Sequence, residues 1–139
     1  MTYRQLNQLY YLRREIARDE QKIEELRRKA TSSTTALSAE TAGPHAGVSD
    51  KVGAYAAAIA DLTSDLAVKT EERVAVYHRT LAYIEGIEDS HTRLMLKLRF
   101  VDNLRWDDVA AVIGGYWTGQ SVRQAFSRWA RENLEREEE

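Results

Sequence analysis

Residues 87–134 read IEDSHTRLMLKLRFVDNLRWDDVAAVIGGYWTGQSVRQAFSRWARENL, and the punctuation of this stretch decides the fold. Asp102-Asn103 is a turn signal. Gly114-Gly115 is a second, because glycine tolerates the left-handed backbone common just past a helix end. Between them, Trp106 to Ile113 carries Asp107 and Asp108 in a first helical turn, where negative charge is favoured. Val109, Ala110, Val112 and Ile113 supply its apolar face. Before it, His91 to Val101 sets Leu94, Leu98 and Val101 on one side at three- and four-residue spacing. After it, Thr118 or Ser121 is a good helix cap, and Val122, Phe126 and Trp129 point inward along a helix reaching Leu134. The pattern predicts helices over 91–101, 106–113 and 118–134. The last two, joined by a glycine-containing turn, have the sequence form of a helix-turn-helix.

The outward side of the last helix carries its candidate chemistry. Gln120, Ser121, Arg123, Gln124, Ser127, Arg128 and Arg131 lie off the apolar stripe, with Thr118 at the helix start. From Gln120 to Arg131 there are three arginines and no acidic residue. Arginine pairs bidentately with guanine, glutamine with adenine, and serine with phosphates or base edges. These eight residues are the candidate double-stranded DNA contacts. Tyr116 and Trp117, in the turn, are candidate partner-binding aromatics.

Working outward toward the start of the chain, two more sections appear. From Tyr3 to Lys29, Leu9, Leu12, Ile16, Ile23 and Leu26 share one helical face, and Arg13, Arg14, Arg18, Lys22, Arg27 and Arg28 crowd the others. Glu15 and Asp19 lie one helical step from Arg18 and Lys22 and support them electrostatically. A seam this narrow needs a partner helix. The Ser/Thr-rich stretch 31–49 contains the chain's one proline, Pro44, and reads as a loop. A second long helix then follows from a cap at Ser49 or Asp50. Its seam is Val52, Tyr55, Ile59, Leu62 and Leu66, then, after a slip in register, Val74, Tyr77, Leu81 and Ile84. It reaches Glu85, with Gly86 near its end. Tyr10 and Tyr11 extend the seam or face a partner. The expected fold class is therefore all-α: a long antiparallel, coiled-coil-like helical hairpin over 1–86, followed by a three-helix helix-turn-helix unit over 87–139.

Composition bounds the function. The 139 residues are 43% hydrophobic, enough for a core, and the net charge of −2 argues against bulk coating of nucleic acid but permits a local basic face. No cysteine occurs, which excludes disulfides and thiolate metal sites. No stretch has the roughly 20 apolar residues of a membrane span, and the N-terminus lacks a signal-peptide core, so a cytoplasmic protein without a membrane partner is expected. His45, His78 and His91 lack ligand spacing, Gly114-Gly115 lacks the lysine of a phosphate loop, and no nucleophile–base arrangement is evident. No enzyme activity, metal or cofactor is expected.

The segments Leu98-Arg99-Phe100, Trp106-Asp107-Asp108, Val109-Ala110, Gly114, Thr118, Ser121-Val122-Arg123 and Ser127-Arg128 follow one another in an order and spacing that resembles region 4 of bacterial sigma factors. The turn holding Gly115-Tyr116-Trp117 is about two residues longer than that pattern, and no counterpart of sigma region 2 precedes it. The whole layout, with Val48-Ser49-Asp50-Lys51-Val52-Gly53 in the loop, is similar to small phage and prophage sigma-like proteins, some of them late-gene activators. The resemblance implies a bacteriophage-type transcription regulator in a bacterial host cell. Such a protein binds double-stranded DNA, could contact RNA polymerase, and self-associates as a homo-oligomer, with a dimer favoured. Two other readings stand beside it: a protein-binding adaptor or inhibitor acting on RNA polymerase or another host protein, and a DNA-packaging small subunit.

Overall fold

The chain is all-α, and the computed structural model describes residues 1–39 and 46–137. The helices are α1 (Tyr3–Leu6), α2 (Gln8–Ala39), α3 (Ala46–Glu85), α4 (Ser90–Leu96), α5 (Trp106–Ile113) and α6 (Gly119–Asn133). A π-helical turn, Lys97–Val101, extends α4. Six residues separate α2 from α3. The two long helices run antiparallel: Gln8 of α2 meets Arg79 of α3, and further along α2 Asp19 meets Lys69, earlier in α3.

Helix formation outruns the Ser/Thr-rich stretch. The loop expected over 31–49 is helical to Ala39 and again from Ala46, so Ser49 and Asp50 sit inside α3 rather than capping it. Serine and threonine cost only about 0.5 kcal/mol each in a helix relative to alanine, less than starting a new nucleus elsewhere. Residues 40–45 of the expected loop, with Gly43 and Pro44, lie outside the described residues.

The contacts define two compact units, Met1–Arg13 with Glu72–Glu139, and Arg14–Glu71. Neither boundary falls at residue 86. The physical reason is a shared core: Leu6 of α1 and Ile84 of α3 are fully buried in the same cluster as Met95, Leu96, Phe100, Val109, Val122 and Phe126. A cut at 86 would split that cluster.

In the Arg14–Glu71 unit, α2 buries Ile16, Ile23 and Leu26, while Ile59, Leu62 and Leu66 of α3 are half-buried. Asp19 and Lys69 join the two helices at 2.7 Å. That hydrogen bond to Asp19 holds the Lys69 ammonium pKa above its usual value, against the opposing effect of desolvation.

The register slip expected in α3 does not occur. Its inward positions continue through Lys69, Thr70, Arg73, Val76, Tyr77, Thr80 and Ile84, while Val74 is 52% exposed. Polar side chains fill positions where apolar ones were sought. Thr70 returns its hydroxyl to the Leu66 carbonyl at 2.7 Å, which satisfies it inside the helix.

The other unit is built around aromatic rings. Phe126 of α6 lies 5.1 Å from Phe100, 5.4 Å from Trp106, 6.0 Å from Tyr3 and 6.2 Å from Trp129, centroid to centroid. Two expected core residues are instead exposed, Leu94 and Val112. Leu94 lies on the outer side of α4, whose buried residues are Thr92, Met95 and Leu96, and it precedes the π turn. The i→i+5 bond of that turn, Asp102 N–H to Lys97 carbonyl at 3.0 Å, widens the helix and rotates the following residues. Met95 and Leu96 take the buried side, with Leu98, Phe100 and Val101 beyond. Nothing in the structure explains the outward placing of Val112. Among the described residues no helix is long and apolar enough to cross a membrane.

Candidate nucleic-acid interface

The site is set by how α5 meets α6. α5 has no side-chain cap, but Asp107 and Asp108 stand in its first turn and complement the positive helix end. Arg105 reaches Asp108 at 3.6 Å across an exposed surface. At the other end the chain turns on Gly114 and Gly115, with φ of +80° and +68°. A β-carbon is strained in that region. Thr118 then caps α6. The Ser121 N–H donates to Thr118 Oγ1 at 3.1 Å, and the Thr118 N–H donates back to Ser121 Oγ at 2.8 Å. This is a capping box with serine in the place usual for glutamate.

Beneath the turn, α4 supplies a support. Asp89 caps α4 by accepting from the Thr92 N–H at 3.0 Å and the Thr92 hydroxyl at 2.6 Å. These two bonds hold the Asp89 carboxyl below its usual pKa. Two residues on, the His91 ring stacks on Trp117 at 4.6 Å between centroids. Trp117 is therefore a fixed part of the turn and only 38% exposed. Tyr116, next to it, is fully exposed.

The eight candidate DNA contacts separate into two groups. Gln120, Arg123, Gln124, Ser127, Arg128 and Arg131 are all exposed along α6, opposite the buried Val122 and Phe126. Arg123 and Arg128 make no ion pair or hydrogen bond to another described residue. Arg131 Nε reaches back to the Ser127 carbonyl at 3.4 Å. Thr118 and Ser121 are spent in the cap, and their side chains point along the helix start. The outward face thus bears three guanidiniums and two carboxamides, a donor-rich surface suited to phosphates and base edges.

Sequence reasoning missed three parts of the site. One is the close approach of α5 and α6, which places the Asp107 carboxylate against Gly119, the first residue of α6. Another is the His91–Trp117 stack, which joins residues 26 positions apart in the chain. The last is the N-terminal contribution. Tyr3 touches Phe126 and Phe100, Arg4 N–H donates to Glu137 at 2.7 Å, and the Glu135 N–H donates to the Met1 carbonyl at 3.0 Å. None of the three has a local signature, whereas the α6 cap does, in Thr118-x-x-Ser121. No protein-family model, curated protein or solved structure matches this chain.

Proposed function

We propose that the protein is a sequence-specific DNA-binding transcription regulator of the phage type, in which α5 and α6 form a helix-turn-helix and α6 is the recognition helix. One observation carries the reading: Arg123 and Arg128 stand exposed and unpaired on α6, flanking the outward side that Gln120, Gln124, Ser127 and Arg131 occupy. Most other arginines of the same unit are engaged: Arg13 donates to the Val101 carbonyl at 2.8 Å, Arg93 to the Ile87 carbonyl at 2.7 Å and Arg99 to the Leu104 carbonyl at 2.9 Å. Arg99 also stacks over Trp106 at 4.8 Å. Unpaired guanidiniums on both flanks of an exposed helix side suit entry into the major groove, where each can reach a groove wall. The likeness to sigma region 4 supports the same helix in the same role. The reading includes work in the cytoplasm of a bacterial host and self-association, which would present two copies of α6 to paired half-sites.

The test is an electrophoretic mobility shift with fragments of the source genome, comparing the wild type with the Arg123→Ala/Arg128→Ala variant. The wild type is expected to select a fragment that the variant does not hold. A folded double variant that binds as tightly removes α6 from the role.

A protein-binding reading is favoured by one other feature. Tyr116 and Trp117, with Ile113, Gly114, Gly115 and Ser121, line an open groove of about 630 Å³. If that groove docks RNA polymerase, the protein co-elutes with purified bacterial polymerase in the absence of DNA, and Tyr116→Ala abolishes co-elution.

A further inference from the structure

The tip of the α5–α6 turn is a rigid platform bearing one fully exposed side chain. Tyr116 has no neighbour to cover it. The residues after it are pinned, Trp117 by its stack on His91 and Thr118 by its reciprocal bonds with Ser121. A side chain presented from a pinned backbone loses little further conformational freedom on binding. A phenol also holds its polar end away from the chain and can donate a hydrogen bond.

The electrostatics around the tip point to an anion. No aspartate or glutamate occurs between Asp108 and Glu132, a run that holds the turn and nearly all of α6 with its three arginines. The first turn of α6 would ordinarily be a phosphate seat. Here the Asp107 carboxylate lies against Gly119, the first residue of that turn, and its negative charge opposes a phosphate there. A phosphate approaching the start of α6 is therefore repelled from the helix end, and the fully exposed Tyr116 hydroxyl, three residues ahead of Gly119, is a donor free to meet it.

We propose that Tyr116 is a DNA-backbone contact, its phenol O–H donating to a duplex phosphate beside the major groove that α6 occupies. The proposal rests on the DNA-binding reading of α6. The contact is to phosphate, so it adds affinity without sequence preference and sets the depth at which α6 enters. It involves no charged side chain and releases no extra counterion, so it leaves the salt slope of binding unchanged.

The experiment is fluorescence polarisation of a labelled mixed-sequence duplex, titrated with the full chain at several salt concentrations. The proteins compared are the wild type, Tyr116→Phe, Tyr116→Ala and Arg123→Ala/Arg128→Ala. Both Tyr116 variants are expected to bind about three- to tenfold more weakly, the worth of one hydrogen bond, with the wild-type salt slope. The arginine variant is expected to lose slope. Tyr116 variants that bind the duplex as the wild type does overturn the proposal, and if they also lose polymerase co-elution the turn belongs to a protein partner. Tyr116→Phe equal to wild type with Tyr116→Ala weakened overturns the hydroxyl contact. A wild type that ignores the duplex at low salt overturns the α6 reading itself, a result distinct from failure at Tyr116 alone.

Discussion

The carboxylate of Asp107 lies directly against Gly119, so the first turn of α5 leaves no room for a side chain on the first residue of α6. A β-carbon built on Gly119 would collide with Asp107 Oδ1 and stand 3.0 Å from the Asp107 backbone nitrogen. The carboxylate can swing aside, but the backbone cannot. Gly119→Ala is therefore expected to destabilise the protein by about 1–3 kcal/mol, the usual cost of overpacking, as measured by urea unfolding. Adding Asp107→Ala should recover only part of this loss. Full recovery would mean that the carboxylate alone, not the helix approach, demands glycine.

Gly114 makes a separate demand. Its φ of +80° and ψ of −166° lie where glycine is nearly the only occupant, although nothing stands within 4 Å of a β-carbon there. The obstacle is conformational rather than steric contact. Gly114→Ala should cost about 1–3 kcal/mol, and no compensating cavity mutation elsewhere should relieve it. A neutral Gly114→Ala in thermal unfolding would show that the turn has another accessible conformation.

Asp89 ties stability to acid. Its folded-state pKa is lowered from the ordinary carboxylate value, chiefly by the Thr92 hydroxyl and then by the Thr92 N–H. A lowered carboxyl contributes stability that is full above the unfolded pKa and is lost as pH falls through the folded one. Melting temperature followed from about pH 6 down to about pH 2 should therefore fall more for the wild type than for Asp89→Asn, which keeps the cap acceptor but cannot titrate. Parallel curves would remove Asp89 as a source of the acid dependence.

What was readable in the sequence, and what was not, follows a physical division. α5 matched its expected bounds, Trp106 to Ile113, because acidic residues at its start and glycine after its end are both local signals. α6 matched within a residue for the same reason. Burial along α3 was misread at Val74 because a periodic search follows apolar residues. The true inward positions there are Lys69, Thr70 and Arg73, with Lys69 held by Asp19 and Thr70 by the Leu66 carbonyl. Leu94 was grouped with Leu98 and Val101, but the π turn re-phases those later residues, and within α4 Thr92, Met95 and Leu96 hold the buried side. In the candidate site, the exposed arginines were legible from their position off the apolar stripe. The Asp107–Gly119 approach and the seat of Tyr3 on Phe126 were not, since both depend on residues that meet only after folding.

Thr118 and Arg123 test whether residues assigned together from the sequence share a role. Thr118 spends its hydroxyl on the Ser121 N–H, so Thr118→Ala should lower stability by about 1 kcal/mol. That loss would be seen as an earlier unfolding midpoint. Any weakening of duplex binding should follow the fraying of the first turn of α6 and leave the salt slope untouched. Arg123 has no partner to lose, so Arg123→Ala should leave the unfolding midpoint where it is. If Arg123 meets a phosphate, the slope of log K against log salt should fall by about one. If it reads guanine instead, binding should weaken by about 1–3 kcal/mol at one base position of the site. The opposite pattern, with Thr118→Ala stable but defective in slope, would move the phosphate contact from the middle of α6 to its start. It would then be incompatible with the Asp107 carboxylate lying there.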